Sequence, residues 1–196
     1  MNWKATVAMV AVAVGLGAYV YYVEAPKPAP ADSGEVIVWQ YDGEKAKQFN
    51  RFALKTSSGE VVYQKAAASG SVEGAWKLST EPERDLETWQ FDTPLNDAMT
   101  LKAERKVEDS VSDPAVYGFD APQLELALGS EKEPEKAKLV VGAKNPMGSG
   151  YYAKGPDGKV YLLSSYKVDS WTRIHDTPPL TAPSASPSPS ASGSAK

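Results

Sequence analysis

Apolar and polar residues between positions 35 and 176 are arranged mostly as hairpins would require. Val36-Ile37-Val38-Trp39 is a short β-rich run. Residues 52–55 and 60–65 flank Thr56-Ser57-Ser58-Gly59, a turn composition between two strand-like runs, which predicts a β-hairpin. Trp76-Lys77-Leu78 follows a loop containing Gly70 and Gly74 and adds a short strand. Further on, Leu124, Leu126 and Leu128 alternate with Glu125 and Ala127, and residues 138–141 make another short strand; such alternation means a half-buried sheet. The plainest hairpin joins residues 151–154 to 159–163 through Gly155-Pro156-Asp157-Gly158.

Two stretches carry helical spacing instead. Asp92-Thr93-Pro94 presents a capping side chain before a proline at the first helical position, and Leu95, Ala98 and Met99 share one face, which predicts a helix from there to about Lys102. A second helix is expected after the last hairpin, with Ser164 or Ser165 as cap and Val168 and Trp171 facing the sheet. The order strands, helix, strands, helix is that of an α+β domain, an antiparallel sheet built from hairpins and covered by two helices. The two halves also suggest a degenerate duplication.

Outside this domain the pattern changes. Residues 5–23 are uninterruptedly apolar and uncharged, followed at once by Glu24-Ala25-Pro26-Lys27-Pro28-Ala29-Pro30. A helix needs about 20 apolar residues to span a hydrocarbon core of roughly 30 Å. Trp3 at one end of the run and Tyr19, Tyr21 and Tyr22 at the other suit the two water interfaces. A cleaved signal peptide would have a shorter apolar core and a small-x-small site directly after it, whereas this run ends in Tyr-Tyr-Val-Glu. The expected organisation is a cytoplasmic stub at 1–4, a signal-anchor at 5–23, a proline-rich linker at 24–34, an exported domain at 35–176 and a tail at 177–196. The Ser, Pro and Ala of that tail lack the apolar content to offset chain entropy, which predicts disorder. The location implied is the cell membrane, with the lipid bilayer as partner of residues 5–23 and most of the chain on the outer side.

The formal net charge is -4, with acids and bases interleaved and no basic cluster alternating with aromatics, so nucleic acid is not an expected partner. The absence of cysteine excludes a lipid-modified N-terminal cysteine, CxxC redox chemistry and thiolate metal sites.

Several segments in order carry a resemblance. They are the Tyr-Val-Tyr-Tyr-Val-Glu end of the apolar run, Trp76-Lys77-Leu78 with Pro82 shortly after, the Thr93-Pro94 helix start, Tyr117-Gly118-Phe119-Asp120-Ala121-Pro122, and Val141-Gly142-Ala143-Lys144-Asn145-Pro146 leading to Gly150-Tyr151-Tyr152. Together these resemble the bacterial domain of unknown function 4340 (DUF4340). The resemblance implies an N-terminal span, an exported domain and a link with ABC-type transporter permeases and gliding-motility accessory proteins. It carries no catalytic residues to transfer, and this chain is shorter than many members, with one such domain.

Candidate chemistry is sparse. Residues 142–150 are glycine-rich, but a strand rather than a helix follows them and the Gly-Lys-Ser/Thr ending of a phosphate loop is absent. A loop with Asn145 and Met147 beside two tyrosines is nonetheless where a weak binding surface is expected, formed by Gly142, Asn145, Pro146, Gly150, Tyr151 and Tyr152. Ser164-x-x-Lys167 matches the serine-lysine spacing of penicillin-recognising enzymes without their Ser-Asp-Asn and Lys-Thr-Gly partners, so a helix cap with a solvated lysine is expected. His175 reads as a surface histidine. The acidic run of Glu81, Glu83, Asp85 and Glu87 lacks the glycine of a calcium loop and reads as solvated. Trp39, Trp76, Trp89 and Trp171 are expected to pack the core rather than line a ligand groove. No catalytic residue, metal ligand or cofactor is therefore expected. The leading functional expectation is a non-catalytic accessory or interaction module associated with an ABC-type transporter; an envelope protein binding a peptide or glycan comes second and an envelope hydrolase third.

Overall fold

The computed structural model describes residues 34–67 and 74–182. The apolar run, most of the proline-rich linker and the tail from 183 onward lie outside the described residues. Among those described, no helix is long and apolar enough to cross a membrane.

The chain builds an α+β domain around an eight-stranded sheet with two main helices. Its strands are β2 (Arg51–Thr56), β3 (Gly59–Lys65), β4 (Trp76–Leu78), β6 (Arg105–Glu108), β7 (Leu124–Gly129), β8 (Ala137–Lys144), β9 (Gly150–Lys154) and β10 (Val160–Ser164). They lie in the order β4-β3-β2-β7-β8-β9-β10-β6, every neighbouring pair antiparallel. Both predicted hairpins close in register, Thr56 opposite Gly59 and Val160 opposite Lys154. The two halves of the chain meet where β2 pairs with β7. A separate two-stranded ladder joins β1 (Val36–Ile37) to β5 (Lys102–Ala103).

The helices α1 (Thr88–Met99) and α2 (Ser165–Asp176) cover one face of the sheet. Phe52, Leu54, Tyr63, Leu126, Leu139 and Leu163 from the strands meet Phe91, Leu95 and Ala98 of α1 and Val168, Trp171 and Ile174 of α2 in one core. Two tertiary hydrogen bonds hold the helices in place. Trp171 Nε1 donates to the Pro94 carbonyl at 2.9 Å, and the Tyr63 hydroxyl donates to the Ile174 carbonyl at 2.6 Å. Burial pushes the Tyr63 phenol above its ordinary pKa. On the other face, Tyr117, Phe119 and Val160 form a smaller cluster, which is why β10 is buried on both sides where alternation alone predicts one.

The first helix departs from its predicted start. It begins at Thr88, so Pro94 lies inside it rather than at its first position. An interior proline removes one backbone bond and is normally costly. Here Phe91 packs 4.7 Å from Tyr63 and 6.1 Å from Trp76, ring centre to ring centre, and is almost wholly buried. Burying that ring requires the upstream turn, so packing overrides the local signal. The helix also stops at Met99, not Lys102. Its last carbonyls are taken by the preceding segment, Ala98 O by Trp39 Nε1 at 2.7 Å and Met99 O by Tyr41 N at 2.9 Å. Ser164 does stand at the N-cap of α2, but its hydroxyl makes no capping bond.

A 3-10 helix (Gly43–Gln48), β5 and β6 have no counterpart in the sequence reading. Residues just past Asp176 also make contacts. Leu180 bridges to Leu86 and the Thr181 amide donates to Asp85 O, so residues 180 and 181 lie against the body of the domain.

Candidate functional site

The six residues singled out between Gly142 and Tyr152 belong to the β8–β9 hairpin, and its geometry follows from Asn145. The Asn145 side chain is buried, its Oδ1 accepting from Ser149 N at 3.0 Å and Gly150 N at 3.3 Å while Nδ2 donates to Ser149 Oγ at 3.1 Å. Its backbone is also engaged, N–H to Gly150 O and carbonyl from Gly148 N. Each hydrogen-bonding group of Asn145 thus shapes the turn. Asn145→Ala is expected to lower stability by about 1–3 kcal/mol, because two amides lose their acceptor, and thermal melting would show it as a fall of several degrees.

Gly142 and Gly150 serve close packing. A Cβ on Gly142 would meet the Tyr117 carbonyl at 2.1 Å, and one on Gly150 would meet Leu163 O at 2.5 Å. Tyr151 and Tyr152 point to opposite faces of the sheet. Tyr151 donates its hydroxyl to Asp169 Oδ1 at 3.2 Å and has Lys144 Nζ 5.0 Å from its ring centre; Tyr152 packs edge-on against Tyr117 at 5.0 Å. The six residues therefore share one hairpin but present no common surface. The tip of the hairpin, residues 146–149, is exposed, Met147 at 82%.

Lys167 turns away from a role beside Ser164: its Nζ donates to the Lys102 carbonyl at 2.8 Å. Asp97 stands near it on α1. Burial raises the Asp97 pKa, partly offset by the Lys167 charge, while Glu35 adds to the rise. A carboxyl whose folded pKa exceeds its unfolded value destabilises the fold when ionised, and stability recovers as pH falls through the folded pKa. Asp97→Asn is therefore expected to raise the melting temperature at pH 7, with the gain shrinking as pH is lowered towards 4.

His175 is buried, contrary to the surface position expected of it. Its Nε2 lies 3.1 Å from Gly59 O and 3.3 Å from Thr56 Oγ1, and Nδ1 lies 2.8 Å from Asp176 Oδ1. The ring ties the end of α2 to the β2–β3 turn, a contact between residues too distant in sequence for any local pattern to reveal. The acidic run is a solvated loop: Asp85 pairs with Lys77 at 2.6 Å and Glu81 with Arg84 at 2.9 Å. Among the described residues no three His, Asp or Glu side chains come together as metal ligands do.

The tryptophans divide. Trp39 and Trp171 are buried and Trp76 packs partly buried against the same core, but Trp89 is 74% exposed, against expectation. It sits on the first turn of α1, at the rim of a groove of about 230 Å³ between the outer faces of the two helices. Thr93, Tyr166, Arg173 and Ile174 also line this groove. Sequence reasoning missed it because its walls come from two helices far apart in the chain, and neither wall carries a motif.

Comparison with known proteins adds one finding. The family model described as Domain of unknown function (DUF4340) matches residues 76–177, just over half of the chain. That stretch runs from β4 through both helices and includes the Tyr117–Pro122 and Gly142–Tyr152 segments. No curated protein and no solved structure gives a match. Seven strands from β4 onward, both helices and the packed glycine hairpin fall within one continuous match, and the chain belongs to the DUF4340 family.

Proposed function

We propose that this chain is a non-catalytic accessory module, held at a membrane through residues 5–23 with its α+β domain on the outer side, and that it docks a membrane-transport component through the groove between α1 and α2. The observation that carries the reading is Trp89. A tryptophan left 74% exposed at a groove rim is a poor use of the largest apolar side chain unless something covers it. The Arg173 guanidinium gives the same groove an arginine anchor of the kind that dominates interface energetics. The anchor rests on the charge-free length of the apolar run and its flanking aromatics. The transport partner rests on the family resemblance.

The test is purification of the full chain from mild-detergent membranes beside a Trp89→Ala variant. A transport permease recovered in stoichiometric amount with the native chain, and lost with the variant while the melting temperature holds, is the expected result. Recovery of the native chain alone from intact membranes would overturn the reading.

A further inference from the structure

Five large apolar side chains stand exposed on the described domain, and three of them, Ile37 at 56%, Met147 at 82% and Tyr166 at 65%, belong to segments that the fold draws together. The connections are explicit. Ser165, which precedes Tyr166, donates from its amide to Ser149 O at 3.1 Å and from Oγ to Gly148 O at 3.3 Å, so the Met147 tip abuts the first turn of α2. Ile37 stands opposite Lys102 in the β1–β5 ladder, and the Lys102 carbonyl accepts from Lys167 Nζ. The Glu104 amide in turn donates to Leu162 O at 2.9 Å, placing β5 beside the end of β10 that leads into α2. Three remote segments thus form one end of the domain.

We infer that this end rests on the surface of the lipid bilayer. The inference relies on the membrane anchoring proposed above and adds which face of the domain meets the lipid. Its chemistry suits the acyl-headgroup boundary: a flexible thioether at a hairpin tip, an aliphatic side chain, and a tyrosine of the kind that settles at headgroup level. Lys102, Lys144 and Lys167 stand on the same segments, Lys102 paired with Glu35, Lys144 over the Tyr151 ring and Lys167 on the Lys102 carbonyl, with Asp97 and Asp169 as the further carboxylates nearby. The chain also enters the domain here, since Glu35 pairs with Lys102 at 3.4 Å and Val36 opens β1. Only residues 24–34 separate the apolar run from Glu35, and fully extended they reach at most about 40 Å. That tether keeps the patch at high effective concentration near the bilayer, so three side chains suffice where they would bind weakly alone.

The absence of cysteine makes the test direct. Single Met147→Cys, Lys132→Cys and Val14→Cys variants of the full chain are spin-labelled in vesicles of equal phosphatidylcholine and phosphatidylglycerol. Accessibility to oxygen, which concentrates in lipid, is then compared with accessibility to a water-soluble nickel complex. Lys132 lies in the β7–β8 connection, beyond the far end of the eight-residue strand β8 from the Met147 tip. The expected result is a label at 147 several-fold more shielded from nickel than the label at 132. Equal nickel access at 147 and 132, with the label at 14 shielded, would overturn the inference while leaving the anchor standing. Nickel access at 14 would overturn the anchor and the inference together. A second variant guards against a label effect: Met147→Asp should move a label at Tyr166→Cys towards the aqueous reading without changing the melting temperature, and an unmoved label counts against the inference.

Discussion

Trp171→Ala is expected to cost about 3–5 kcal/mol of folding stability, the range for truncating a large aromatic in a packed core. That is a large part of the total for a domain of ordinary stability, roughly 5–15 kcal/mol. Trp171 is fully buried, and its indole fills the space between α2, α1 and the sheet while Nε1 holds the Pro94 carbonyl. Truncation removes the aromatic area, opens a cavity and breaks the bond that ties one helix to the other. Trp171→Phe keeps much of the area and loses the bond, so it should fall well short of the alanine loss, by the amount that cavity and transfer terms contribute. Urea titration of both variants reads these values, and an alanine loss below about 1 kcal/mol would contradict the packing described.

Gly142→Ala is the second large effect. A methyl group there would sit 2.1 Å from the Tyr117 carbonyl and 2.9 Å from the Phe119 ring. The same carbonyl accepts from Ala143 N at 2.7 Å, so the segment 117–119 cannot withdraw without giving up that bond. Overpacking of this kind costs about 1–3 kcal/mol and more where backbone must move. Gly148 provides the comparison. It holds φ +71 at the hairpin tip with open space around its Cα, so Gly148→Ala meets only the left-handed backbone penalty, about 1–2 kcal/mol. The expected order is a larger fall in melting temperature for Gly142→Ala than for Gly148→Ala. An unchanged melting temperature for Gly142→Ala would mean that the 117–119 segment does not press on β8.

These two positions show how legibility varied along the chain. Gly142 reads in sequence as part of a glycine-rich, potentially ligand-binding stretch, yet its structural reason is a carbonyl 25 residues earlier in the chain. Asn145 likewise reads as an exposed polar loop residue and is in fact the buried centre of its own turn. Polar and glycine residues in a loop have the same appearance in sequence whether they face a ligand or another part of the backbone. The groove at Trp89 was illegible for the complementary reason. An aromatic near a helix start looks like core, and only the direction of α1, set by burying Phe91 three residues from the helix start, leaves Trp89 outside.

Local order was settled by the sequence itself. Alternating leucines in β7, the two hairpin turns, the stripe of Val168 and Trp171, and the succession strands, helix, strands, helix all follow from periodicities that act over a few residues. The α+β class follows from them because apolar strand faces and helix stripes must be buried against one another. Tertiary structure alone decided the rest: that β2 and β7 join two halves into one sheet, that Pro94 lies within a helix, that His175 is a buried tie, and that the Met147 hairpin tip is bonded to the start of α2. Each of these depends on contacts between residues tens of positions apart. Such contacts form only when the whole core closes, and a local pattern carries no record of which distant partner will supply the burial or the hydrogen bond.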